Sequence, residues 1–167
     1  AHIIPLEGPC NTDEHKLFEF LKKRSGVLQG VVVTGGEPTV QPDLLQFLAK
    51  IRALPTYSIK LDTNGLRPDV IKKAIDGKLV DYIAMDIKAP KKKYEKITQI
   101  PYNDTKIQTS INLIQASGLP HQFRTTYDKR FLTEKDLLDI RKWIKDDDNY
   151  VVNECILRDS EGNPIPQ

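Results

Sequence analysis

The chain has 167 residues, the size of a single domain, since domains typically run to about 100–200 residues. With 39% hydrophobic and 29% charged residues it is not a disordered chain, and its net charge of +2 argues against a dedicated nucleic-acid or membrane-surface binder. No apolar stretch approaches the ~18 residues of a membrane span, and no signal peptide is recognisable. Two cysteines, Cys10 and Cys155, form neither a disulfide framework nor a CxxC pair, so we expect a cytoplasmic protein with reduced thiols.

Short β-branched runs alternate along the chain with segments of helical period. The first helix is predicted after Asn11, with Glu14 at the spacing of a capping box. The run 31–33 is continuously apolar, which is typical of a strand buried on both faces. A second helix is predicted to begin at Pro42, because proline favours the first helical turn.

The second half of the chain continues this alternation. Helices are predicted from Pro68 to Gly77, over 104–117, and after Thr133, which lies at capping-box spacing from Asp136. The remaining predicted strands are 59–61, 79–87, 123–127 and 150–157. Five strands that alternate strictly with five helices indicate parallel strands joined by right-handed helical crossovers.

Two α/β architectures fit this alternation, a doubly wound open sheet and part of a (β/α) barrel. A complete eight-stranded barrel needs about 250 residues, so this chain would supply only part of one. The predicted division is one domain over 1–158 and a loose tail over 159–167, which is rich in glycine and proline.

Polar residues follow three of the predicted strands. They are Thr34-Gly35-Gly36-Glu37-Pro38 after the first, Asp62-Thr63-Asn64-Gly65 after the second, and Asp86 with Lys88 at the end of the third. Because the carboxyl ends of parallel strands share one face, where ligands bind, these clusters are expected to converge.

Each cluster offers a different chemical group. The glycine pair lets the backbone approach a ligand closely, and the carboxylate of Glu37 suits an amino group. Asp86 and Lys88 lie two residues apart, so they face the same side of a strand and offer both signs of charge. A zwitterionic ligand, such as the amino-acid end of a small molecule, fits this pattern.

These motifs, together with Phe123-Arg124-Thr125-Thr126 on the next strand, resemble the radical S-adenosylmethionine (SAM) enzymes. The resemblance covers about residues 3–157 and is nearest to activating proteins of anaerobic ribonucleoside-triphosphate reductase, then to pyruvate formate-lyase-activating enzymes. It implies a partial (β/α) barrel that is open on one side. The protein would make a glycyl radical on a partner enzyme, with electrons from a donor such as flavodoxin or ferredoxin, and would have no nucleic-acid or membrane partner.

The resemblance also implies roles for individual residues. Gly35, Gly36, Glu37 and Pro38 match the segment that binds the amino group of SAM. Asp62, Thr63 and Asn64, with Asp86, match the positions that hold its methionine end, and Asp62 and Asp86 are the candidates for a monovalent cation. Lys88 and Arg124 are the candidates for contacts with the ligand carboxylate.

One part of the family pattern is missing. The family holds a [4Fe-4S] cluster through a CxxxCxxC loop, and neither Cys10 nor Cys155 belongs to such a loop. Because the chain begins at Ala1 rather than Met, the expectation is that the first strand and the cluster loop are absent, and that this chain alone does not cleave SAM.

Two other functions stay open. The chain is alternatively a non-catalytic module that binds SAM or a partner, or an unrelated partial-barrel enzyme that uses Lys88 as a Schiff base. Outside these motifs, the run Lys91-Lys92-Lys93 is interpreted as a solvated face, because no aromatic residues interleave with it.

Overall fold

Five parallel strands form one sheet in the computed structural model, which describes residues 13–54, 56–145 and 148–156. Each strand hydrogen-bonds to the next in the chain, so the order across the sheet is β1-β2-β3-β4-β5. The strands are Gly30–Val33 (β1), Ser58–Thr63 (β2), Tyr82–Asp86 (β3), His121–Tyr127 (β4) and Tyr150–Glu154 (β5). A doubly wound sheet would reverse its order at a switch point, so the unreversed order identifies a partial (β/α) barrel.

Helices make the connections between the strands. They are Glu14–Lys23 (α1), Leu44–Arg52 (α2), Pro68–Asp76 (α3), Tyr94–Thr98 (α4), Asp104–Ala116 (α5) and Glu134–Trp143 (α6), with short 3-10 helices at Pro38–Val40 and Lys91–Lys93. Between β3 and β4 the connection holds a 3-10 helix and α4 before α5 begins, and the sequence pattern did not predict these two short elements.

The helix ends show which start signals were correctly read. Pro68 occupies the first turn of α3, and Thr133 and Asp136 form the predicted capping box of α6. Asp13 caps α1 by accepting from the backbone of His15, whereas the predicted cap Asn11 lies outside the described residues. The predicted start of α2 at Pro42 is wrong, because that helix begins two residues later.

A single apolar core lies between the sheet and its helices. Its largest fully buried side chains come from every layer: Leu48 and Ile51 of α2, Ile59 and Leu61 of β2, Ile71 of α3, Ile83 and Met85 of β3, Ile87, Ile107, Ile111 and Ile114 of α5, and Phe123 of β4. This continuous core positions the ends of β1 to β4 rigidly with respect to one another.

Strand β1 does not have the predicted burial. Val32 is 54% exposed and Val31 and Val33 are only half-buried, so the prediction of a strand covered on both faces is wrong. Among the described residues β1 is hydrogen-bonded to β2 alone, which makes it an edge strand. A run of valines therefore identified the strand but not its position in the sheet.

The lysine run also differs in part from its interpretation. Lys92 is exposed as expected, but Lys93 donates to the buried carboxylate of Asp136 at 2.6 Å. Lys91 lies over the ring of Trp143, with its Nζ 5.0 Å from the ring centroid. The run therefore anchors the connection after β3 to α6.

The tail 159–167 and Cys10 lie outside the described residues, so the predicted tail is untested. No helix within the described ranges is long and apolar enough to cross a membrane.

Strand β3 begins at Tyr82 rather than at 79. The preceding Asp81 instead accepts from Arg52 and from the backbone of Ile59, at 2.8 and 2.7 Å.

Candidate functional site

The three polar clusters meet in one cleft at the carboxyl ends of the strands, as the strand-end argument predicted. The cleft has a volume of about 130 Å³. Its lining contains every predicted site residue: Gly35, Gly36, Glu37, Pro38, Asp62, Thr63, Asn64, Asp86, Lys88 and Arg124, with Thr34 in addition.

The backbone of the glycine pair is open toward this cleft. A Cβ built on Gly35 or Gly36 would meet no atom within 4 Å. The φ of Gly35 is +151°, a backbone angle that residues other than glycine rarely adopt. This segment therefore presents bare peptide groups that a ligand can approach directly.

Glu37 lines the cleft, and its carboxylate accepts several hydrogen bonds from the protein itself. One carboxylate oxygen accepts from the backbone N–H of Thr39 (3.1 Å), from the Thr39 hydroxyl and from the Thr63 hydroxyl (2.8 Å). The other accepts from the backbone N–H of Asn64 at 2.6 Å. These contacts fasten the glycine loop to the end of β2. A carboxylate oxygen can accept two hydrogen bonds, so the oxygen that accepts from Asn64 can also accept from a ligand amino group.

The turn after β2 depends on Gly65. Its φ is +77°, and a Cβ there would lie 2.0 Å from the Cε of Met85. Its carbonyl accepts from the buried Ser110 hydroxyl of α5 at 2.7 Å. The side chain of Asn64 accepts from the backbone of Leu66, which closes the same turn. Asn64 is thus held by its own backbone and side chain at the mouth of the cleft.

Arg124 joins the ends of three neighbouring strands. From β4 it donates to Asp62 of β2 at 3.1 Å and to Asp86 of β3 at 3.0 Å. Partial burial acts to lower the pKa of Arg124, but the two carboxylates outweigh it and raise that pKa. The guanidinium is therefore a permanent cation, and its planar fork suits two carboxylates at once.

Asp62 keeps one acceptor that no described residue satisfies by hydrogen bonding. Its Oδ1 is buried and has no hydrogen-bond partner, although Lys60 Nζ forms an ion pair with it at 3.3 Å. A buried carboxylate oxygen without a donor is unfavourable, and an ammonium group entering the cleft would supply one. This atom and the open glycine backbone are the features that fit the amino-acid end of SAM.

Lys88 lies beside Asp86 as the two-residue spacing predicted. Its Nζ donates to Asp86 at 2.7 Å, and its side chain is 44% exposed. A Schiff-base lysine needs burial or neighbouring cations to lose its proton, whereas this one is 44% exposed and donates to a carboxylate. The geometry therefore gives no support to the alternative in which Lys88 is a nucleophile.

The [4Fe-4S] cluster that the resemblance implies has no matching ligand set here. Within 13–54, 56–145 and 148–156 no group of three or more His, Cys, Asp or Glu side chains is placed to hold a metal. Cys155, just after β5, is the single cysteine in these ranges and is not in a disulfide. The residues present fit SAM but do not fit the cluster.

An apolar pocket of about 420 Å³ adjoins the polar cleft and shares Asn64 and Lys88 with it. Its other walls are Leu66, Tyr94, Ile97, Thr98, Ile100 and Thr126. Burial raises the pKa of Tyr94 to about 12, so its hydroxyl stays neutral. Sequence reasoning missed this pocket, although the spacing of three between its apolar residues 94, 97 and 100 is the helical signal that indicates it.

Comparison with known sequences identifies the class. Residues 13–152 match the Radical SAM superfamily, which is most of the chain, so the chain belongs to this superfamily.

Individual relatives are consistent with this family. The chain is 32% identical over 134 residues to a Methanocaldococcus jannaschii protein named "Putative glycyl-radical enzyme activating enzyme", covering 78% of this chain and 56% of that one. The fold of the present chain is similar to that of native anSMEcpe with bound AdoMet. The TM-score is 0.68 at 16% identity, over 93% of this chain and 46% of that one. A domain of pyruvate-formate lyase-activating enzyme from Bacteroides vulgatus has a TM-score of 0.64 at 15% identity, over 84% and 87%. The chain spans about half the length of the curated relative and of anSMEcpe.

Proposed function

We propose that this chain is the SAM-binding core of an activating enzyme that generates a glycyl radical on a partner protein. The observation that carries the proposal is the convergence of the open glycine loop, Asp62 and Arg124 around one cleft, in a chain of the Radical SAM superfamily. The name of the M. jannaschii relative supports the finer assignment to glycyl-radical activation.

The cleft and the adjoining pocket divide SAM between them in this proposal. The ligand ammonium group meets the glycine backbone and the unsatisfied Asp62 Oδ1. The ligand carboxylate contacts Arg124 or Lys88, which provide charge-assisted hydrogen bonds. The adenosyl group enters the apolar pocket beyond Asn64, where it loses water contact. Asp86 holds both cationic side chains in position throughout.

When bound beside a reduced [4Fe-4S] cluster, SAM supplies a 5′-deoxyadenosyl radical in the chemistry that the resemblance implies. The ligands of that cluster are not among the described residues, and we propose that these 167 residues alone do not cleave SAM. The proposal for the whole protein includes a glycyl-radical enzyme as substrate, a one-electron donor such as flavodoxin or ferredoxin, and a cytoplasmic location.

A monovalent cation at Asp62 and Asp86 remains part of the proposal in a restricted form. The guanidinium of Arg124 lies between the two carboxylates, so a cation would have to share them with it. The Oδ1 of Asp62, which has no hydrogen-bond donor but lies 3.3 Å from Lys60 Nζ, is the ligand atom that such a cation would use. Potassium-dependent SAM binding that disappears in Asp62→Asn would support this.

Calorimetric titration tests the binding step. SAM is compared with methylthioadenosine, which lacks the amino-acid end. Arg124→Gln is expected to weaken SAM binding by about tenfold or more, the loss of one charge-assisted contact, and to leave methylthioadenosine binding within about twofold. Arg24→Gln, an exposed arginine at the end of α1, is the control. Absence of SAM binding by the unsubstituted chain would contradict the proposed function.

Anaerobic reconstitution with iron and sulfide tests the catalytic step separately. The expected result is neither stoichiometric cluster uptake nor 5′-deoxyadenosine from this chain. If both are observed, the statement that the chain alone is inactive is wrong, while the SAM site is strengthened. A different result would establish a non-catalytic binding module. It is SAM binding without turnover, combined with a whole coding sequence that lacks the cluster motif.

A further inference from the structure

A second cleft, of about 790 Å³, lies outside the candidate site, between the connection that follows β3 and helix α6. The carboxylates that line it are Asp136 and Asp139. Six lysines line the same cleft: Lys91, Lys92, Lys93, Lys135, Lys142 and Lys145. The whole chain has a net charge of +2, so this excess of lysine concentrates positive charge at one place on a nearly neutral protein.

Four of these lysines have no ion-pair partner among the described residues. Lys93 is paired with Asp136 and Lys91 with Asp104, which neutralises two of the six. The other four are exposed and form no ion pair with another described residue. Three further aspartates follow in the sequence: 146 and 147 lie outside the described residues, and Asp148 is exposed. Grouped like charges repel one another and work against folding, so a counter-charge from outside would stabilise this surface.

The arrangement of the charges favours a broad partner over a compact anion. Lys135 and Lys142 are seven residues apart within α6, which at 1.5 Å per residue separates them by roughly 10 Å along the helix, and Lys145 lies beyond its end. Leu138 and Lys142, three and seven positions after Lys135, share its helix face, and Leu138 is 57% exposed. An apolar side chain within a row of lysines is typical of a protein–protein contact surface.

The same surface is poorly suited to nucleotides. Lys91 covers the ring of Trp143, and the indole N–H donates to Gln108 at 2.7 Å, so neither is available to a base. The capping box of Thr133 and Asp136 occupies the first turn of α6. Base stacking and free backbone donors, which nucleic-acid and phosphate sites use, are therefore not offered by the described residues lining this cleft.

We propose that this basic cleft is the docking surface for a partner protein with an acidic surface, and that the exposed Leu138, beside the cleft on α6, makes an apolar contact with the same partner. The proposal rests on the charges and exposure of α6 and the β3 connection. It does not depend on the function proposed for the polar cleft, which lies at the strand ends.

Fluorescence anisotropy with a labelled peptide of repeated Glu-Glu-Leu units tests the surface in the full chain. The double variant Lys135→Glu/Lys142→Glu is expected to bind the peptide about tenfold more weakly, and added salt is expected to weaken binding by the unsubstituted chain. Lys16→Glu/Lys23→Glu is the matched control, because these lysines have the same spacing of seven on α1 and are also exposed. The control is expected to bind within about twofold of the unsubstituted chain.

Two results would overturn the proposal. Equal weakening in both double variants would show attraction to the overall charge and no specific surface. Tighter binding of a DNA duplex than of the peptide, lost in Lys135→Glu/Lys142→Glu, would assign the cleft to nucleic acid. Should the charge-reversed variant fail to fold by circular dichroism, Lys135→Gln/Lys142→Gln repeats the measurement with a smaller expected loss.

Discussion

The charged side chains of the candidate site bind and position one another, a role that their charges alone do not reveal. Glu37, a candidate for contact with a ligand amino group, also accepts hydrogen bonds from residues 39, 63 and 64. Which side chains stand at the strand ends was predictable from sequence, because strand ends are marked by turn residues. Their partners were not, since these contacts join positions such as Asp62 and Arg124 that are far apart in the chain.

Replacing Glu37 by Gln tests this fastening role. Either orientation of the amide puts its NH₂ group against a backbone N–H, that of Thr39 or that of Asn64. The free energy of unfolding is expected to fall by about 1–3 kcal/mol, the cost of an unsatisfied buried donor, and SAM affinity to fall with it. Urea denaturation and calorimetry measure the two effects. Glu19→Gln, on the exposed face of α1, serves as the control, and a Glu37→Gln variant as stable as this control would disprove the fastening role.

Gly65 and Gly118 form a matched pair for testing the turn after β2. They have nearly equal φ values, +77° and +73°, but a Cβ meets Met85 in the first and open space in the second. Gly118→Ala is expected to cost about 1–2 kcal/mol for its left-handed backbone alone. Gly65→Ala is expected to cost roughly 1–3 kcal/mol more, because of the overpacking. Equal losses in chemical denaturation would mean that Met85 moves aside freely.

At the scale of helices and strands, the sequence correctly predicted which elements are present, but it did not predict what each element packs against. All five strands and the five longer helices follow from β-branched runs, capping residues and helical periodicity. The exposure of Val32 and the pocket beside α4 did not follow, because they depend on which neighbours an element acquires in the folded sheet. The connection Lys91–Lys93 shows the same limit, since its contacts with α6 involve residues more than forty positions away.

The contact between that connection and α6 depends on the ionisation of Asp136. This carboxylate is 7% exposed and accepts from Lys93 and Thr133. Burial acts to raise the pKa of Asp136, but these donors lower it below its usual value of 3.8. Because the folded pKa is the lower one, the carboxylate stabilises the fold at pH values above 3.8, and this stabilisation is lost as the pH falls through the folded pKa.

Asp136→Asn is therefore expected to lose about 1–2 kcal/mol of unfolding free energy at pH 7, because Lys93 keeps its charge without its partner. The difference from the unsubstituted chain should shrink below pH 3.8. Urea denaturation at neutral and acidic pH measures both. Asp139→Asn, exposed on the same helix, is the control and should show little effect at either pH. A difference that stays constant with pH would assign the loss to packing and not to charge.

At the scale of the whole molecule, parallel strand order predicts where stability is concentrated. Strands β2, β3 and β4 have neighbours on both sides, whereas β1 and β5 are paired on one side within the described residues. Amide hydrogen exchange is expected to be slowest in β3, whose three central residues are buried, and faster in β1. Protection of β1 equal to that of β3 would show that another part of the protein covers this edge.

The contacts of Arg124 have a consequence for which molecules the cleft selects. Asp62, Asp86, Lys88 and Arg124 are already paired with one another as ions, so an incoming ligand has to exchange ion partners with them. Within this network the Oδ1 of Asp62 is the oxygen that still lacks a hydrogen-bond donor among the described residues. A ligand with one charge would displace one side chain of the network from its ion pair and leave that side chain unpaired. A ligand with an ammonium and a carboxylate group on the same carbon provides a new partner for each displaced charge. Selectivity for an α-amino acid end thus arises from a network in which both signs of charge are already paired, at an affinity held down by the contacts that the ligand must replace.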